Sequence, residues 1–129
     1  MRCIIVLCAA LLVCVSAQQA SAFTAGEMYQ FCKPLAETSQ VGARPGMVNV
    51  PRTPESGICM GTFQLLQEVS RIQGQDGGSA LHLCLPVEST MFQLVQVYVV
   101  YAAAHPEAYH RQFFFVMHDA MTNAFPCPR

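Results

Sequence analysis

CLPVESTMFQLVQVYVVYAAAHPEAYHRQFFFVMHDAMTNAFPC (84–127) is the stretch that decides the fold. It reads as two helices of similar length, interrupted once at His105-Pro106, with a cysteine just outside each open end. In an antiparallel helical hairpin the start of the first helix lies beside the end of the second. Cys84 and Cys127 therefore meet at one end, with the His-Pro turn at the other. Met91, Leu94, Val95, Tyr98 and Ala102 form the apolar stripe of the first helix. Val97, Val99, Val100 and Tyr101 favour a strand by propensity alone, but the length and the helical stripe outweigh that preference. Pro86 suits a first helical turn and Glu88 the positive end of the helix dipole, so the helix is expected to begin there. The second helix is expected over 107–124, capped by His105, with Tyr109, Phe113, Val116, Met117, Ala120 and Ala124 on one face. Phe114, Phe115 and Met121 widen that face, which implies burial on two sides or a dimer contact. Phe125-Pro-Cys-Pro ends it.

Residues 1–22 read as a secretory signal peptide rather than part of the fold. Arg2 gives a positive start, residues 3–15 are apolar and uncharged, and Ala20-Ser21-Ala22 offers an A-x-A cleavage site before Phe23. The apolar run is shorter than the about 20 residues a membrane span needs. A lipoprotein signal ending at Cys14 lacks the small residue such processing prefers, and cleavage after Ala17 is a second option for the same leader. Residues 23–129 are then one exported helical domain.

Export changes the cysteine arithmetic. Cys3, Cys8 and Cys14 leave with the leader, so the seven cysteines reduce to Cys32, Cys59, Cys84 and Cys127. An even number in an oxidising compartment implies disulfides, with three connectivities open to four cysteines. Cys32–Cys59 and Cys84–Cys127 are favoured because each staples one helical hairpin. On loop-closure grounds they contribute at most about 3.5 and about 4 kcal/mol. Zinc is the rival use of four cysteines, but no C-x-x-C pair is present.

Without Arg2 the chain carries six basic and eight acidic side chains and no basic stripe, which argues against nucleic acid as a partner. No second apolar segment is long enough to span a bilayer, so no membrane association is expected after cleavage. Low charge with many apolar side chains points to a large core for the size, or to a covered partner surface.

The first helix of the domain is expected over 24–37. Thr24 and Glu27 have the spacing of a capping box, and Phe23 with Met28 that of a hydrophobic staple. Met28, Phe31, Cys32 and Leu35 share one face, and Pro34 is expected to weaken the helix around Lys33. TSQVGARPGMVNVPRTPESG (38–57) is the longest irregular tract, with Met47, Val48 and Val50 apolar enough to dock. The next helix is expected from Ser56 or Gly57 to Gln73, with Ile58, Phe63, Leu65, Leu66, Val69 and Ile72 as its apolar face. Gly61 could admit a close helix neighbour, and Gly74-Gln-Asp-Gly-Gly makes a flexible turn.

No catalytic pattern emerges. His82, His105, His110 and His118 lack H-x-x-x-H or H-E-x-x-H spacing, so no metal site is expected. His118 and Asp119 are sequence neighbours and point differently around a helix. G-x-S-x-G is absent, carboxylates are scattered, and oxidised cysteines are not nucleophiles. The chain reads as a protein that is not an enzyme and needs no cofactor.

From Phe23 onwards the chain resembles the Rap1a/Tai family of immunity proteins. The resemblance rests on Phe23-x-x-Gly26 with Cys32 downstream, Cys59-Met-Gly61, Cys84-Leu-Pro86, the helix ending in His105-Pro106, and Ala124-Phe-Pro-Cys127. The chain departs from the family pattern at Thr62, where tyrosine is usual, at Leu65, where a small residue is usual, and in a long 40–57 tract. These departures fall where partner choice could be made. The resemblance implies a small all-α, four-helix, disulfide-bonded periplasmic homodimer. It would occlude the cleft of a peptidoglycan amidase delivered by the type VI secretion system, with no catalytic residue, metal or cofactor of its own. Candidate partner-binding residues lie on three loops: Gln75, Asp76, Ser79 and His82 on and just beyond 73–80; Arg44 and Arg52 in 44–54; and His105 and Glu107 at the turn. Two alternative roles stand beside this one. One is a periplasmic acid- or stress-response chaperone that exposes apolar faces as carboxylates and histidines protonate. The other is a family member without a cognate toxin.

Overall fold

The computed structural model describes residues 22–38, 50–74 and 78–128. Four α-helices make the fold: α1 (Ala25–Thr38), α2 (Pro54–Ser70), α3 (Met91–Ala104) and α4 (Phe113–Ala124). A short 3-10 helix, Pro106–Ala108, lies between α3 and α4. Helix α1 is central, packing against each of the other three. Of the helix pairs, α2 and α4 touch least, and a groove runs between them.

Each helix start has a local cause. Thr24 and Glu27 form the expected capping box: the Glu27 carboxylate accepts from the Thr24 N–H at 2.8 Å, and the Glu27 N–H donates to Thr24 Oγ1 at 3.3 Å. The Thr24 backbone and then its hydroxyl hold the Glu27 carboxyl below its ordinary value. Phe23 meets Phe31 edge-on at 5.5 Å, one turn beyond the expected Met28. Helix α2 begins at Pro54, earlier than expected, because Thr53 caps it by accepting from the Ser56 N–H at 3.2 Å.

Helix α3 begins later than expected. Thr90 and Gln93 form a full capping box, and Pro86 lies in the turn before it, its carbonyl accepting from the Ser89 N–H at 2.9 Å. Helix α4 also begins late, at Phe113 rather than residue 107, and its N-cap Gln112 makes no side-chain cap bond. Its position is set from outside. The Phe113 N–H donates to the Phe23 carbonyl at 2.9 Å, and the Ala25 N–H donates to the Arg111 carbonyl at 2.9 Å. Pro34 does not end α1, which continues to Thr38 with Pro34 on its exposed side.

Tyr98 is the hub of the core. Fully buried, it lies 5.6 Å from Phe63 and 5.1 Å from Phe113 by ring centroids. Its hydroxyl donates to the Ala25 carbonyl at 2.7 Å, tying α3 to the first turn of α1. Burial pushes the phenol far above its usual range, so it stays a donor. The stripe Leu94, Val95, Tyr98 and Ala102 is buried as expected, with Met91 half-buried.

Helix α2 buries only part of its expected face. Of that face Phe63 and Leu66 are buried, joined by Ser56 and Cys59, whereas Ile58 and Leu65 are exposed; the helix ends at Ser70, short of Gln73, and Ile72 lies exposed just beyond it. Gly61 has nothing within 4 Å of where a Cβ would stand, so it seats no neighbour. The close approach is at Gly26 instead, where a Cβ would lie 3.1 Å from Tyr109 Cβ. In α4, Val116, Met117, Ala120 and Met121 are buried, while Ala124, Phe114 and Phe115 face outward.

Both favoured disulfides form, Cys32–Cys59 between α1 and α2 and Cys84–Cys127 between the segments flanking α3 and α4. Their Cα atoms are 5.4 and 5.1 Å apart, ordinary for a disulfide, and the pairing leaves none of these cysteines free for zinc.

Candidate partner-binding surface

The His105 turn is a built feature. His105 closes α3 by donating its backbone N–H to the Ala102 carbonyl at 3.1 Å, and it gives α4 no cap. Its ring stacks on Tyr101 with centroids 4.3 Å apart, and Nδ1 lies 2.9 Å from the Glu107 carboxylate. That hydrogen bond is the main reason the Glu107 carboxyl sits below its ordinary value. Both side chains are substantially exposed, so the pair fixes the shape of the turn more than it stabilises the fold. Behind it, the Gly26 N–H donates to the Tyr109 carbonyl at 3.0 Å, and Tyr29 stacks on Tyr109 at 5.3 Å. Desolvation, then the neighbouring Tyr29, raises the Tyr109 phenol above its ordinary value. Arg111 reaches Asp119 at 3.1 Å, while His118 Nε2 lies 3.1 Å from the Leu81 carbonyl. His118 and Asp119 thus point to different partners, as their adjacency in a helix requires.

The turn after α2 is held from both sides. Gln73 and Ser79 pair as an isolated bridge, the Gly74 N–H donates to the Gly78 carbonyl at 2.6 Å, and the Ala80 N–H to the Ile72 carbonyl at 2.9 Å. The His82 N–H donates to the Ser79 carbonyl at 2.9 Å, and His82 takes a left-handed φ of 52°. That region is uncommon for a residue with a side chain, though histidine enters it more readily than most. The structure thus gathers Ser79 with His82 and His105 with Glu107, each pair local to its own turn. Arg52 is exposed just before the α2 cap. Arg44, Gln75 and Asp76 lie outside the described residues.

Sequence reasoning missed an apolar groove of about 160 Å³ between α2 and α4. Thr62, Leu65, Leu66 and Val69 line one wall, Phe113, Phe114 and Met117 the other, with Leu81 and Phe63 between. The Thr62 hydroxyl bonds back to the Ile58 carbonyl at 2.7 Å, which leaves the groove lined by carbon. Leu65 is 62% exposed and Phe115, beyond the rim, 53%. Large apolar side chains so placed mark a surface a partner would cover. The signal was present as two apolar faces, on α2 and α4, each too wide for one core.

Among the described residues no group of three or more His, Cys, Asp or Glu could hold a metal ion, and no helix is long and apolar enough to cross a membrane. No curated protein and no solved structure matches the chain. The family model of the Rap1a immunity proteins does match, over residues 14–127. Taking in all four helices and both disulfides, that match shows that the chain belongs to the Rap1a immunity protein family.

Proposed function

We propose that residues 23–129, released from a signal peptide covering 1–22, act in the periplasm as an immunity protein. The toxin is a peptidoglycan amidase delivered by a type VI secretion system. The family match over 14–127 carries this reading, since an immunity protein works by binding a toxin effector. Two disulfides support an oxidising compartment. Inhibition is by occlusion: a homodimer covers the amidase cleft and one loop enters it, so substrate is excluded and the inhibitor performs no chemistry. Loops 73–80 and 44–54 and the His105–Glu107 turn are the candidates to enter. The groove between α2 and α4 offers a separate apolar seat, and it holds Thr62 and Leu65, two positions that depart from the family pattern.

The test is capture by the mature, oxidised protein from periplasmic and secreted fractions. One captured protein that cleaves peptidoglycan alone, and stops when the complex forms, supports the reading. The exposed Leu65, Phe114 and Phe115 favour one competitor, a chaperone for unfolded proteins. Capture of many unfolded clients, increasing as pH falls, would replace immunity with that role.

A further inference from the structure

The two disulfides differ in what a reductant must do to reach them. Cys32 and Cys59 lie inside helices and are fully buried, so attack on their bond requires α1 and α2 to separate. Cys84 and Cys127 are both exposed and lie outside any helix. Cys127 Sγ is 3.8 Å from the His82 carbonyl oxygen, and as a disulfide sulfur it has no hydrogen to donate, so that approach is a van der Waals contact and not a hydrogen bond. We propose that Cys84–Cys127 is a thiol–disulfide exchange site, a clasp that opens to a dithiol reductant in the folded protein while Cys32–Cys59 stays closed.

The exchange balances without any further reagent. One thiolate of the dithiol attacks either sulfur, the other cysteine leaves as a thiolate and takes a proton, and a mixed disulfide forms. The second thiol of the reductant then displaces the first cysteine. Two electrons and two protons pass to the protein, and the reductant leaves as its own disulfide.

Opening is confined by what flanks the clasp. Upstream, Leu83 is buried and the Leu81 carbonyl is held by His118. Downstream, Gln67 Nε2 donates to the Ser89 carbonyl at 2.6 Å, and the Thr90–Gln93 capping box fixes the start of α3. On the other strand of the clasp, the Phe125 N–H donates to the Met121 carbonyl at 2.8 Å. Leu85 packs against the core and the Pro86 carbonyl accepts from Ser89, so the freed pieces are Cys84 itself and residues 126–128. They adjoin a groove of about 410 Å³ whose lining includes Pro86, Glu88, Val97 and Phe125.

Native protein treated with dithiothreitol for timed intervals, then trapped with N-ethylmaleimide and mapped by mass spectrometry, tests this. Cys84 and Cys127 are expected to label at least about tenfold faster than Cys32 and Cys59, because the buried pair reacts only through opening of the core. Equal rates, or earlier labelling of Cys32 and Cys59, overturn the proposal. Hydrogen exchange on Cys84→Ser/Cys127→Ser reads the second half. Retained protection in α1 and α2 with loss confined to the ends of the clasp supports a local device, and loss throughout the helices overturns it. The labelling kinetics use the wild-type chain and decide the matter even if that variant fails to fold.

Discussion

Cys32–Cys59 joins two helices within the core, whereas Cys84–Cys127 joins two irregular segments at the surface. Chain entropy alone ranks the second bond higher, since its cysteines are 43 residues apart against 27. Burial reverses that order. Cys32 and Cys59 are also members of the buried core that holds Met28, Leu35 and Phe63. The same covalent link is thus part of the core in one half of the molecule and a tether in the other.

Replacing both members of each pair by serine gives the largest effect and the sharpest test. Cys32→Ser/Cys59→Ser loses loop closure and buries two hydroxyls, a cost of about 5 kcal/mol or more. Cys84→Ser/Cys127→Ser loses at most about 4 kcal/mol, because its hydroxyls meet water. Urea midpoints in the opposite order would break the comparison. Tyr98→Phe comes next: it leaves the Ala25 carbonyl without its second donor inside the core and costs about 2 kcal/mol by the same measurement.

The glycines sharpen the comparison at smaller scale. Gly26→Ala forces Tyr109 away and lengthens the bond to its carbonyl, for a net loss of about 1 kcal/mol even after the helix gains alanine. Gly61→Ala meets open space and gains about 0.5–1 kcal/mol. Thermal midpoints should move in opposite directions.

Acid gives the smallest response. Glu27 and Glu107 have folded pKa values below 4.5, so their contributions are fully present above that pH and disappear as pH falls through the lower folded values. Glu27→Gln and Glu107→Gln should flatten the loss of stability on acidification below pH 4.5, read as thermal midpoint against pH.

How far the sequence could be read follows the origin of each feature. The Tyr98 stripe, both cysteine pairs and the Thr24 capping box are local patterns, and the structure reproduces them. Thr90 and Gln93 were equally local, but Pro86 and Glu88 offered a competing start and drew the helix boundary upstream. The late start of α4 had no local signal at all, because backbone bonds from Phe23 and Ala25 set it. The phase of α2 was hidden for a different reason. Ile58 and Leu65 are as apolar as its core residues, and only packing against α1 and α3 decides which set is covered. That choice leaves the carbon-lined groove, so the surface read here as a partner site is a consequence of tertiary structure.

Leu65→Glu should leave stability within about 0.5 kcal/mol, since Leu65 is largely exposed, yet weaken capture of the toxin. The most direct measurement titrates the mature, oxidised protein into peptidoglycan hydrolysis by the amidase it captures, the target proposed above. Occlusion predicts that hydrolysis stops at about one protomer per enzyme and returns with Leu65→Glu at the same concentration. Undiminished hydrolysis at saturating protein would contradict the account.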